Sequence, residues 1–379
     1  NGVTDTQVAA VLQYCAQLKT CLKTFMRPWL AVAERSGGWI YTTWNQVKGS
    51  TGVGTRTGRL SSTPNFQNIP KEFSPLFKHQ VDKALAKSYP TSPIKGLPEL
   101  PKCRGYVAPS KGKILIGRDY SQQEPRILGH FDDDAIMAQY LENPWMDYHD
   151  TAKKLLDATF GKDFLRKHVK NMNLGIIYGM GVAKLAEKNG ASVEETRSLK
   201  NALYALYPGL KDMYNAMKDK AKAGEPFRTW GGREYYCEPD FIDPVNGRRI
   251  KFDYKMVNSL IQGSAADCTK QAIVQFYEGI PVDNYIRQYN LAYHVMPDDI
   301  EKIKKLVRKK DWHLILNVHD ELVVLCPRED YEDAMLYLKC CMDSVVFDVP
   351  ILSEGDVSDT GWADMIDVDK KGKVVYDFV

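Results

Sequence analysis

Two short apolar runs, each leading into an aspartate and lying 201 residues apart, constrain this chain more than any other feature. Lys113-Ile114-Leu115-Ile116-Gly117-Arg118-Asp119 is a brief apolar run ending at an acid, and from Ser121 onward the apolar spacing turns helical, so a strand feeds a helix. Farther on, Leu314-Ile315-Leu316 and Leu322-Val323-Val324-Leu325 flank Val318-His319-Asp320-Glu321, which reads as a hairpin with acids at its tip. If these strands pair, Asp119 and Asp320 converge. A hard divalent ion asks for one or two carboxylates plus substrate phosphate oxygens, and a pair of ions can clamp the entering and leaving oxygens of an in-line phosphoryl transfer. Taken singly, an aspartate at a strand end is more often a turn residue, so the rest of the chain must decide.

At 379 residues the chain has room for two or three folded units, and 44% hydrophobic with 26% charged residues excludes wholesale disorder, collagen and coiled coil. The formal charge is only +3, so any polyanion site must be built from local patches. The eight cysteines include no Cys-x-x-Cys pair and have no His-x-x-x-His partner, which argues against zinc and for free thiols in a reducing compartment. No apolar run approaches the roughly 18 residues of a membrane helix and no charged-then-apolar leader opens the chain, so a soluble protein of the cytoplasm, that of the host cell if viral, is expected. The start at Asn1 reads as a fragment or a processed chain.

Helical spacing of Val8, Val11, Leu12, Leu18 and Leu22 predicts a helix from Thr4 to about Arg35, stopped by Gly37-Gly38. Trp39 to Trp44 reads as a strand, and six prolines from Pro70 to Pro101 mark a long irregular connection or insertion. Residues 147–223 read as successive helices, with Ser192 and Glu195 as a capping box and Gly224 as a stop. A hairpin over Phe227 to Cys237 and a helix over Asp253 to Tyr277 follow.

Within that helical region Arg166, Lys170, Leu174 and Tyr178 fall four apart, so they share one broad stripe of a helix. A core face would not carry the two cations, and a solvated face would not need the leucine and tyrosine. The stripe suits either a nucleoside triphosphate lying along the helix, phosphates on Arg166 and Lys170, or an ordinary amphipathic surface helix.

Together these segments resemble the polymerase domain of family A DNA polymerases, the bacterial DNA polymerase I family. Thr57-Gly58-Arg59-Leu60-Ser61-Ser62 with Asn65-Phe66-Gln67-Asn68-Ile69-Pro70 is similar to the family's primer-template segment. Asp119 to Arg126 resembles its first catalytic motif, Arg166 to Gly179 its fingers helix, Gln262 to Asp267 its minor-groove helix, and Val318-His319-Asp320-Glu321 its last catalytic motif. The resemblance implies an α+β right-hand polymerase fold: a palm with an antiparallel sheet, helical fingers and a partial helical thumb. The expected boundaries are 1–56 for the partial thumb and a strand leading to the palm, 57–146 for palm with a proline-rich insertion over 70–101, 147–250 for fingers, and 251–379 for palm with the catalytic hairpin. It implies Mg²⁺ as cofactor, two ions for which Mn²⁺ can substitute, held by Asp119, Asp320 and the Tyr120 carbonyl. Arg166, Lys170 and His149 would hold the triphosphate, with Lys170 also donating a proton to the leaving pyrophosphate. Leu174, Tyr178, Glu124 and Gln122 would complete the nucleotide site, Glu124 beside C2′ of the sugar. Arg59, Asn65, Gln67, Asn68, Asn258, Gln262 and His319 would touch the primer-template.

Asn258 and Gln262 stand one helical turn apart, so both can face a minor groove whose acceptors are the same for every correct pair. The chain departs from the family at Leu174, usually Phe or Tyr; at Pro125, usually Leu; and at Tyr254 and Leu260, usually Arg and Pro. Segments 70–101 and 278–311 look like insertions and favour a phage-like branch. The basic run Lys302 to Lys310 reads as a solvated helix face, with a DNA or partner contact as the alternative. The implied function is primer extension by a DNA-templated DNA polymerase in viral or phage replication, with DNA and deoxynucleotides as partners; a processivity factor or helicase is left open. A single-subunit RNA polymerase and an inactive DNA-binding accessory subunit are the alternatives.

Overall fold

The computed structural model describes residues 6–46, 48, 52, 54–70, 98, 100–132 and 134–374. Helix α1 (Thr6–Thr20) continues through a π-helical segment, Cys21–Met26, into α2 (Arg27–Arg35). The stop lies where expected, with the Gly38 amide donating to the Ala33 carbonyl at 2.8 Å. The buried face does not. Val8, Val11 and Leu12 are exposed, whereas Cys21, Phe25 and Trp29, spaced by four, are buried. The strand expected over Trp39 to Trp44 shrinks to β1 (Thr43–Asn45), which pairs with β2 (Ser61–Thr63). Trp39 and Tyr41 have no ladder partner among the described residues and are exposed.

Strand β3 (Lys113–Tyr120) runs into α3 (Gln123–Asp132) and α4 (Ala135–Glu142). Five helices follow: α5 (Tyr148–Phe160), α6 (Arg166–Ile177), α7 (Val182–Asn189), α8 (Val193–Leu206) and α9 (Pro208–Ala223). Ser192 caps α8 by accepting from the Glu195 amide at 3.1 Å, while the Glu195 carboxylate turns away to Lys162 at 2.6 Å, so only half of the capping box forms. Two small hairpins, β4 (Phe227–Arg228) with β5 (Glu234–Tyr235) and β6 (Phe241–Ile242) with β7 (Arg249–Ile250), lead into α10 (Lys255–Glu278). Then come α11 (Val282–Tyr293), α12 (Ile300–Lys305), β8 (His313–Val318), β9 (Glu321–Pro327), α13 (Tyr331–Asp343), β10 (Ser353–Ser358), β11 (Ile366–Lys370) and β12 (Lys373–Val374).

Six strands form one antiparallel sheet in the order β12-β11-β10-β3-β9-β8. Because side chains alternate across a strand, β3 serves two cores. Ile114, Ile116 and Tyr120 pack with the main core of α3, α10 and α13, while Leu115 joins Cys21, Phe25, Trp29, Phe66 and Trp362 on the opposite face. Burial on both faces explains the unbroken apolar run that marked β3 in the sequence.

Arg118 is fully buried on β3, where its Nε and Nη2 donate to the Ser353 hydroxyl at 2.9 Å, the Ser353 carbonyl at 2.6 Å and Asp369 at 2.7 Å. A buried charge stripped of its partner costs roughly 3–5 kcal/mol, so this pairing locks β10 and β11 to β3. Arg126 on α3 likewise donates to the carbonyls of Ser121, Pro144 and Pro350 at 2.6, 2.6 and 2.7 Å, and so clamps the loops on either side of the site.

The segment 278–311 folds as α11 and α12 against α13, with Gln288 donating to the Phe347 carbonyl at 2.7 Å and Ile303 buried. Its basic run is paired in part with acids, Lys302 with Asp333 and Lys309 with Asp330, which suits a solvated face. The proline-rich segment lies mostly outside the described residues. No helix among the described residues is long and apolar enough to cross a membrane.

Candidate active site

The register puts Asp119 opposite Glu321 on one side and Glu354 on the other. Asp320 sits in the two-residue turn between β8 and β9, where His319 takes a left-handed φ of 63°. That turn is fastened to the end of β3, because the Tyr120 amide donates to the Asp320 carbonyl at 3.3 Å. Tyr120 turns its side chain into the core, its hydroxyl on the Met342 carbonyl at 3.0 Å, so only its backbone can serve a metal. The Asp119 side is exposed and Asp320 is half-buried. Burial, with Glu124 and Glu321 nearby, pushes the Asp320 carboxyl up to about 6 even though Arg59 pulls the other way.

A crowd of carboxylates short of positive charge is the environment a hard cation neutralises. Among the described residues no three His, Cys, Asp or Glu side chains stand preassembled around one point. Asp119 and Asp320 are of the chemistry Mg²⁺ takes, one or two carboxylates with the shell completed by water and phosphate oxygens.

Two residues at this cluster escaped the sequence reading. Glu321 accepts from the Trp362 indole at 2.8 Å and stands 3.9 Å from Arg104. Burial lowers the Arg104 pKa, opposed by the charges of Glu321, Asp356 and Asp119. The signal for Glu321 was its place in the Val318-His319-Asp320-Glu321 run, but only the cross-strand register pairs it with Asp119.

Helix α6 presents the expected stripe outward: Arg166 and Lys170 are exposed, Leu174 and Tyr178 half-buried, while Val169, Met172 and Ile176 enter the core. Gly179 ends it at φ +65°, with the Tyr254 carbonyl 2.3 Å from where a Cβ would lie, so glycine alone lets α6 abut the start of α10. The Tyr178 hydroxyl donates to Glu124 at 2.9 Å. Burial and then Glu124 raise its pKa, while Gln262 also reaches that hydroxyl. Glu124 forms a salt bridge with Arg59 as well. Arg59, Glu124, Tyr178 and Gln262 therefore form one connected patch, and the charge of Arg59 is felt at both His319 and Asp320.

Arg166 is not free to greet a triphosphate. Its guanidinium pairs with Asp147 and Asp150, each at 2.5 Å. Burial works against the charges, yet these contacts hold Arg166 above and Asp147 below their ordinary values. Asp147 also caps α5, accepting from the amides of His149 and Asp150 at 2.9 and 3.0 Å. His149 follows in the first turn, buried, and its Nδ1 lies 3.1 Å from Asn173 Nδ2 on α6. Burial holds this imidazole down at about 4, with Lys170 and Arg166 adding to the effect, so it is neutral at pH 7.

Several expected binding residues turn inward instead. Gln122 was expected at the nucleotide, but its amide is spent on the Met146 carbonyl and the Tyr148 amide, at 2.9 and 2.8 Å, where it anchors the loop before α5. Gln67 is buried and donates to the Asn317 carbonyl at 3.1 Å, and the Asn65 side chain accepts from the Gln67 and Asn68 amides at 3.1 and 3.0 Å. Gln67 thus braces β8 and Asn65 caps its own turn. Asn68 is exposed. Asn258 and Gln262 share α10, with the Asn258 Oδ1 buried and unpartnered. Gly58 has φ +76° and packs on Arg233, whose guanidinium bonds the Gly263 carbonyl at 2.7 Å and Asp267 at 2.6 Å, and so carries the Arg59 loop on α10.

The sequence profile of DNA polymerase family A matches residues 3–364. The chain belongs to DNA polymerase family A. It is 31% identical to DNA polymerase I of Helicobacter pylori over 320 residues, 83% of this chain and 29% of that protein. It is 29% identical to DNA polymerase theta of Caenorhabditis elegans over 294 residues, covering 77% and 14%. Against the thermostable DNA polymerase I of Thermus filiformis it is 26% identical over 348 residues, covering 91% and 35%. The chain thus spans about a third or less of these relatives. Among solved structures it resembles the POL domain of Pol1 from M. smegmatis in complex with DNA primer-template and dNTP, at a TM-score of 0.65 and 25% identity, covering 93% of this chain and 52% of that one. The right-hand fold of family A, with its antiparallel sheet and flanking helices, is the fold of this chain.

Proposed function

We propose that this chain is a DNA-templated DNA polymerase that adds deoxynucleotides to a primer 3′ end by nucleotidyl transfer. The observation that carries this reading is adjacency: the strap between Tyr120 and Asp320 lies within the electrostatic reach of Glu124, which the Tyr178 hydroxyl ties to the outward stripe of α6. Asp119 and Asp320 would hold the Mg²⁺, for which Mn²⁺ can substitute, together with the Tyr120 carbonyl. When bound, a pair of such ions supplies charge stabilisation at the entering and leaving oxygens.

The remaining work falls to the chain's own groups. Lys170 and Arg166 neutralise the triphosphate, Arg166 exchanging Asp147 and Asp150 for phosphate oxygens. Lys170 stands ready to protonate the leaving pyrophosphate. Glu124, held from two sides by Arg59 and Tyr178, would block a ribose 2′-hydroxyl. Asn258, Gln262, Arg59 and His319 would follow the minor groove of the new pair, where a polar contact checks geometry without reading sequence.

In this reading residues 57–146 and 251–379 act as palm, 147–250 as fingers and 1–56 as part of a thumb. The working place would be the cytoplasm and the setting viral or phage replication, the ground being the sequence reading of 278–311 as an insertion. A primer-extension assay with deoxynucleotides, then ribonucleotides, then no Mg²⁺, tests the reading. Ribonucleotide extension alone would assign an RNA polymerase, and no extension under any condition would assign a binding subunit.

A further inference from the structure

We propose that Asn173 sets the tautomer of His149, placing the imidazole proton on Nε2 and making that nitrogen a neutral N–H donor for a phosphate oxygen. This rests on the reading of α6 as the triphosphate seat. Asn173 lies three residues after Lys170, about 60° round the helix toward the core, and is only 2% exposed. Its Nδ2 stands 3.1 Å from His149 Nδ1. With the amide in this orientation its nitrogen donates, so Nδ1 accepts and the ring proton sits on Nε2.

The other end of the Asn173 amide supports this role. Its Oδ1 is buried with no partner among the described residues, although an unsatisfied buried acceptor is costly. An aliphatic side chain would fill this core position without that cost. What an aliphatic residue cannot supply is the bond to His149.

The charges facing the ring explain why a neutral donor is wanted. Asp147 and Asp150 approach from its own helix, Lys170 and Arg166 from α6, and Tyr148 packs beside it. An imidazolium here would be buried and would repel both phosphate cations. A neutral Nε2–H adds a third contact to the phosphates without a third charge. Asn173 is thus a positioning residue, acting on the nucleotide through His149.

The test is long-range ¹H–¹⁵N NMR of the histidine rings, with His149→Gln removing the signals to be assigned. In the wild-type chain without substrate, Nε2 should be protonated and Nδ1 bare. Asn173→Asp offers only an acceptor, so the proton should move to Nδ1. The KM for a deoxynucleotide on primer-template should then rise about tenfold, with a smaller effect on kcat, as expected for one lost hydrogen bond. A wild-type spectrum with the proton on Nδ1 overturns the proposal whether or not the Asp variant folds. A moved proton with an unmoved KM overturns the phosphate role. Since the spectrum needs no substrate, absence of primer extension by the wild-type chain would count against the polymerase reading alone.

Discussion

The Tyr120 amide donates to the Asp320 carbonyl at 3.3 Å, and this bond brings together two segments that the chain separates by 200 residues. It ties the turn that carries Asp320 to the strand end that carries Asp119. The site is therefore a property of the sheet, whose register sets which acids face one another.

Glu124 is gripped by Arg59 and by the Tyr178 hydroxyl, which fixes it five residues after Asp119. Glu124→Ala should raise ribonucleotide relative to deoxynucleotide incorporation by orders of magnitude. Tyr178→Phe, which loosens the grip but leaves the carboxylate, should move the same ratio in the same direction by less. The ratio of kcat/KM for the two nucleotides with one template base measures both, and an unchanged ratio in Glu124→Ala removes it from the role.

On the proposed reading, Asp150 competes with phosphate for Arg166. Both partners are about half exposed, so the pair is worth at most about 1 kcal/mol. Asp150→Asn should therefore lower the deoxynucleotide KM by up to about fivefold. Asp147 is less suited to the test because it also caps α5. A KM that rises in Asp150→Asn would show that the carboxylate orients Arg166 productively instead.

Leu174 occupies the third position of the stripe, half-buried between Lys170 and Tyr178. Lacking a hydroxyl, it cannot stand in for the missing 3′-OH of a dideoxynucleotide, so the wild type should discriminate strongly against such analogues and Leu174→Tyr should relax the discrimination. Equal use of both analogues by the wild type would show that this side chain does not face the sugar.

His149 makes folding depend on pH. Its pKa is lowered in the folded chain to about 4 from an ordinary 6.5. Between those values the unfolded state binds the extra proton, so stability rises with pH across the window and is lost as pH falls from 6.5 toward 4. The shift corresponds to about 3 kcal/mol. Urea unfolding of the wild type and His149→Gln at several pH values should show a shallower acid loss in the variant. Parallel curves would mean that the ring titrates normally.

The features legible in the sequence were those whose residues carry both the pattern and the chemistry. β3, the β8–β9 hairpin and α6 have strong periodicity and end in, or display, their functional groups. β10 was invisible because Ser353-Glu354-Gly355-Asp356-Val357-Ser358 is polar and small; it becomes a strand by pairing with β3 and by holding Arg118. The aromatic run from Trp39 looked like a strand by propensity, but a strand needs a partner, and only Thr43 to Asn45 has one. The first helix buries Cys21, Phe25 and Trp29 instead of its apolar start, because the π-helical segment and the Trp29–Phe66 stack at 4.8 Å decide which face meets the sheet. Gln67, Asn65 and Gln122 show the limit of motif reading, since a polar residue inside a functional segment can serve the fold rather than the substrate.

Single-turnover primer extension by rapid quench, comparing the wild type with Asp119→Ala and Asp320→Ala under saturating Mg²⁺ and deoxynucleotide, tests the central claim most directly. Both variants should bind primer-template nearly as well as the wild type, because the backbone contacts come from elsewhere, while their extension rates fall by several orders of magnitude. A rate within tenfold of the wild type in either variant would contradict the assignment of these two carboxylates to catalysis.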